Sequence, residues 1–153
     1  MIKYYSPSVL CAVLSIVSVS SQADSGSVSV VENNYVTSCI AKHGDNNSEC
    51  LSSLSILTEK KLNTVYQDKL KEISNYDYKQ WWMGEKRQRD DMKEAFIRSQ
   101  ELWLKYRQAY CKAASAGAEG IDGYGAITLS CQINMGIRRI DEIRLIHPDL
   151  SDG

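Results

Sequence analysis

Between Ser99 and Cys111 the chain reads SQELWLKYRQAYC, which sets Gln100, Trp103, Arg107 and Cys111 at intervals of three, four and four. An α-helix turns once every 3.6 residues, so these side chains fall on one stripe. A thiol in such a stripe becomes a nucleophile only with a lowered pKa and a neighbouring base, usually histidine. The two histidines are His43, in a polar stretch, and His147, beside Pro148. Neither stands at a spacing that places it next to Cys111 on a helix, so no catalytic residue is assigned and the chain is not read as an enzyme. Asp90 and Asp91 are adjacent and point about 100° apart on a helix, which suits a solvated helix start where acids favour the dipole.

Metal and phosphate chemistry fare no better. Cys39, His43 and Cys50 are spaced C-x3-H-x6-C and lack a fourth ligand, whereas structural zinc takes paired, closely spaced ligands. The stretch AGAEGIDGYG follows no strand and carries no Gly-Lys-Ser/Thr, so it does not read as a phosphate loop. No metal or cofactor is expected. The stripe is then read as core: Trp103 supplies apolar area, and Gln100 and Arg107 hydrogen-bond main-chain carbonyls, those of the glycine-rich turn being the nearest candidates. An inward charge needs such partners, since burying it alone costs several kcal/mol.

The elements that must position these residues begin with a leader. Residues 1–23 carry Lys3, an apolar run from Val9 to Val19 and the small residues Ser21 and Ala23, the pattern of a secretory signal peptide cut after Ala23. The run is too short for a comfortable membrane span, and Cys11 precedes most of it, where a lipid-attachment cysteine would follow it. The expected product is periplasmic or secreted, with no membrane span after cleavage. Loss of Lys3 moves the net charge from −1 to about −2, a balance that argues against nucleic acid and anionic membranes as partners. Four cysteines remain, an even set that in an exported chain points to disulfides, with all three pairings open on spacing.

Residues 24–153 form one domain with its core in about residues 31–146. Residues 24–30 read as a loose start. Val31, Tyr35, Val36, Cys39 and Ile40 recur at helical spacing until KHGDNNSE breaks the pattern. Ser48 is placed to cap a second helix, whose apolar face runs through Leu51, Leu54, Leu57, Leu62, Val65, Tyr66, Leu70 and Ile73 to about Ser74. The pattern lapses over the aromatic segment NYDYKQWWMGEKRQRDD and resumes from about Arg87 through Met92, Phe96, Trp103, Tyr106, Tyr110 and Ala114. Four glycines in nine residues then end it, and a last helix spans about Ala126 to Leu145. With no sustained β-alternation, the fold class is all-α: a small antiparallel helical bundle of one short and three longer helices.

In order, Cys39, Cys50, LNTVY at 62–66, SQELWLKYRQAYC, a glycine-rich loop, Cys131 and Arg139 resemble the LprI domain, also called DUF1311, over about residues 38–146. Members of that family are small exported bacterial proteins, and its name comes from a lipoprotein that inhibits lysozyme. The resemblance implies an exported helical domain that binds lysozyme or another secreted hydrolase. This chain departs from the pattern in having no lipobox cysteine and no adjacent Gly-Gly pair in its glycine-rich loop. Arg139 joins Gln100, Trp103 and Arg107 in the structural core set. Disulfides Cys39 to Cys50 and Cys111 to Cys131 are predicted, because each closes a short loop between sequential helices.

If the stripe is core, a partner must be met elsewhere. Tyr76, Tyr78, Trp81 and Trp82 gather anchor-type side chains beside Lys79, Lys86, Arg87 and Arg89, and are the candidate partner-binding residues. The bland alternative is that Trp81 and Trp82 plug one end of the bundle. Two function classes stay open: a binder that blocks a hydrolase, and a structural or adaptor domain of the bacterial envelope.

Overall fold

The computed structural model describes residues 33–80 and 83–147. The leader at 1–23, the segment to Val31, and Trp81 and Trp82 lie outside the described residues. Among the described residues four α-helices occur and no strand: α1 (Asn34–His43), α2 (Ser48–Ser74), α3 (Lys86–Ser115) and α4 (Tyr124–Arg144). No helix of this set is long and apolar enough to cross a membrane.

Local signals set the helix ends. Asn33 is extended, and its Oδ1 accepts from the N–H groups of Tyr35 (2.8 Å) and Val36 (2.9 Å), capping α1. Gly44, at φ 53°, stops α1 in the left-handed region that glycine tolerates. Ser48 is the first residue of α2 and does not cap it. Asn47 holds the cap position with helical dihedrals, and its amide donates backward to the Gly44 carbonyl (2.6 Å). The short 3-10 turn at Gly44–Asn46 feeds the chain into α2 already coiled, which leaves Ser48 no extended cap geometry. At α3 a capping box forms, Glu85 N–H donating to Gln88 Oε1 (2.9 Å).

The long helices run up, down and up. Tyr66 stacks on Phe96 at 5.1 Å while Glu59 pairs with Arg107, so α2 and α3 are antiparallel. Cys111 bonds to Cys131 while Gln100 meets Arg139, so α3 and α4 are antiparallel too. The main core lies among these three helices and includes Leu62, Ile73, Phe96, Trp103, Met135 and Ile143. A second cluster, Val36, Cys39, Leu51 and Ile133, packs α1 against α2 and α4. The parallel pair α2 and α4 approach closely at Gly136, where a Cβ would stand 2.9 Å from Thr58 Cγ2. Lys69 is buried and clamps the far end of α4, its ammonium donating to the Ile146 carbonyl (2.6 Å) and pairing with Glu72 (2.7 Å).

Several positions assigned to apolar faces are on the surface. Tyr35, Ile40, Leu57, Tyr106 and Tyr110 are all exposed. Each lies at the flank of its stripe, and a flank is covered only when another helix lies beside it.

Candidate functional site

Gln100, Trp103, Arg107 and Cys111 share one face of α3, as the helical period requires, and Arg139 reaches them from α4. Trp103 is buried with two guanidinium groups over its ring, Arg107 at 4.8 Å and Arg139 at 5.7 Å from the centroid. Arg139 is fully partnered: Nε donates to Gln100 Oε1 (3.0 Å), Nη2 to Ser99 Oγ (2.9 Å) and Nη1 to Glu142 (3.0 Å). Arg107 donates to the Glu59 carboxylate of α2. The expectation that Arg107 and Gln100 would serve the glycine-rich turn is therefore corrected: both bond across to neighbouring helices. Glu59 and Ser99 were missed because their partners lie 48 and 40 positions away, beyond any local spacing signal. The network ties three helices together around an indole that is 8% exposed.

Arg107 offers a measurable consequence. Its side chain is 14% exposed, whereas Lys105 is on the outer face. Arg107→Ala is expected to cost about 1–2 kcal/mol through lost stacking on Trp103 and the lost link to Glu59, and Lys105→Ala within about 0.5 kcal/mol. Paired thermal melts decide it, and equal small effects would place Arg107 outside the network.

The cysteines are joined as Cys39–Cys50 and Cys111–Cys131. The first bond uses two of the three candidate metal ligands, and among the described residues no group of three or more His, Cys, Asp or Glu is placed to hold a metal ion. Two titrations are displaced. Burial and then the nearby Glu101 push the Tyr66 phenol up from its usual value. The Lys86 hydrogen bond holds the Asp90 carboxyl below its usual value at the start of α3.

Both disulfides stand at the same end of the bundle, where the α1–α2 and α3–α4 connections meet. There Asp45, Asn47 and Ser48 from one connection and Asp122, Gly123 and Gly125 from the other line a concavity of about 640 Å³. Gly120 (φ 87°) and Gly123 (φ 96°) supply the left-handed turns that bring the second loop there. The ion pairs of the described residues lie on the helices and at the α3 entrance, and none includes Asp45, Glu49, Glu119 or Asp122. Four carboxylates around two braced loops are an arrangement that spacing along the chain does not disclose.

The aromatic connector is at the opposite end. Tyr76 and Tyr78 are half-buried. The guanidinium of Arg89 lies over the Tyr78 ring at 5.2 Å, and the Tyr76 hydroxyl accepts weakly from Gln80 (3.4 Å). Met83 is exposed beside them.

Fold and site together define a small all-α domain braced by two disulfides, built around an arginine–tryptophan–arginine core. A family model described as lysozyme inhibitor LprI matches residues 39–143. The chain belongs to that family. No curated protein and no solved structure matches it. The family and the disulfides are consistent with an exported protein.

Proposed function

We propose that this protein is exported through its leader, acts as a single domain of residues 24–153, and blocks a cell-wall hydrolase, lysozyme first, by direct protein binding. The observation that carries this reading is the extent of the family match, which starts at Cys39 and ends at Ile143, the first disulfide cysteine and the last residue of the main core. The matched region holds both disulfides and the main core, and a cross-linked bundle is suited to work by presenting a surface.

The surface best suited to a basic enzyme is the disulfide-braced end. Its free carboxylates Asp45, Glu49, Glu119 and Asp122 complement a cationic partner, and the cross-links fix the loops before contact, which lowers the ordering cost of binding. The test is inhibition of lysozyme by residues 24–153, with Asp45→Lys/Asp122→Lys and Tyr78→Ala beside the parent chain. Charge reversal at the braced end is expected to weaken binding by about 2 kcal/mol with the thermal midpoint unchanged, and added salt to weaken the parent complex. Loss of binding in well-folded Tyr78→Ala alone would move the contact to Tyr76, Tyr78, Trp81 and Trp82. A well-folded parent chain that inhibits no hydrolase would leave the envelope adaptor reading.

A further inference from the structure

The two disulfides differ in what can reach them. Cys111 and Cys131 are both 0% exposed within the main cluster, so no reagent meets either sulfur while the three long helices stay packed. Cys39 is 7% exposed, but Cys50 is only half-buried and lines an open concavity of about 240 Å³ together with His43, Asn46, Glu49 and Ser53. Those four companions are polar and exposed, so the approach to Cys50 is wet. The bond joins α1 to the first turn of α2 across the connection that carries Asp45 and Asn47 to the braced end. Its opening releases that loop.

We propose that Cys39–Cys50 is a reducible latch, opened by a dithiol that attacks Cys50 from this concavity, whereas Cys111–Cys131 is a permanent brace. A thiolate of the dithiol bonds to Cys50 Sγ as the S–S bond breaks, and Cys39 leaves as a thiolate that takes a proton from water. The second thiol of the reductant, having lost its proton to water, attacks its partner sulfur in the mixed disulfide and expels Cys50 as a thiolate, which is protonated in turn. The dithiol ends as a cyclic disulfide, and two electrons have passed to the protein. Of the ten residues of α1 only Val36 and Cys39 are buried, a small anchor for a helix below the length that persists alone in water. Once the cross-link is gone α1 undocks, Leu51 and Ile133 lose its cover, and Asp45 is no longer fixed opposite Asp122. The braced end is dismantled while the bundle of α2, α3 and α4 persists. Control of hydrolase binding by this route rests on the function proposed above. The latch itself does not.

The experiment is reduction of folded residues 24–153 by graded dithiothreitol, with alkylation of the freed thiols, peptide mapping, and amide exchange on the same samples. Cys39 and Cys50 are expected to be alkylated together, about tenfold or more faster than Cys111 and Cys131, because exchange depends on access to the sulfur. Amide protection should then be lost over 34–43 and kept in the three long helices. Ser53→Trp, a bulky side chain set at the rim of the concavity, should slow the first reduction about fivefold by restricting that access, with the thermal midpoint unchanged. Equal rates at the two disulfides, or protection retained over 34–43 after Cys39 and Cys50 are alkylated, overturns the proposal. So does a Ser53→Trp chain reduced as fast as the parent, since the sulfur is then reached by unfolding and not through the concavity. No hydrolase enters these measurements, so their failure is distinct from failure of the inhibitory reading, which is judged on the oxidised protein alone.

Discussion

Trp103→Ala is expected to lower the unfolding free energy by about 4 kcal/mol, read by chemical denaturation of the oxidised domain. The indole is 8% exposed at the centre of the main cluster, so its removal leaves a cavity that three helices would have to collapse to fill. Two cation–π contacts vanish with it, each worth about 0.5–1 kcal/mol or more where water is excluded. Arg139 keeps Gln100, Ser99 and Glu142, and Arg107 keeps Glu59, so neither cation is orphaned. The loss is thus a packing loss, and Trp103→Phe should recover more than half of it. A cost below about 1.5 kcal/mol would show that the site relaxes freely and is not the keystone of the bundle.

The second large effect is on the cross-links. Replacing either cysteine pair by alanine is expected to cost about 3 kcal/mol, since loops of 11 and 20 residues lose similar closure entropy. The two losses should differ in kind. Cys111 and Cys131 are wholly buried in the main cluster, so their removal should lower the midpoint of the whole cooperative transition. Cys39 and Cys50 hold α1, ten residues long and below the length at which an isolated helix persists in water. Their removal should loosen α1 before the rest, seen as early loss of amide protection over 34–43. Uniform loss of protection in both variants would mean that α1 belongs to the same cooperative unit as the long helices.

Much of the fold could be read along the chain. The expected end of the second helix coincides with that of α2 and its start, with Ser48 as cap, falls one residue late, while the limits of the other three fall within about three residues of α1, α3 and α4. Periodicity and a glycine stop such as Gly44 act within one or two turns, so a linear reading captures them. The cap at Ser48 misled because a 3-10 turn precedes it, and such turns carry no periodic signature. Of the site, the stripe from Gln100 to Cys111 was legible for the same reason as the helices.

By itself the sequence determined an all-α chain of one short and three long helices, the family it belongs to, and which residues of α3 share a face. These depend on spacings of three and four along one helix, which local geometry imposes wherever a helix forms. The tertiary structure alone decided that Arg107 bonds Glu59, that Arg139 reaches the Trp103 ring from α4, and that Asp45 and Asp122 face one concavity. It also decided that Leu57, Tyr106 and Tyr110 remain in water. Those outcomes depend on the rotation and register of one helix against the next. Rotation and register are set by the summed packing of every side chain in the interface, with Gly136 against Thr58 as one contact among many, and no short stretch of sequence carries that sum.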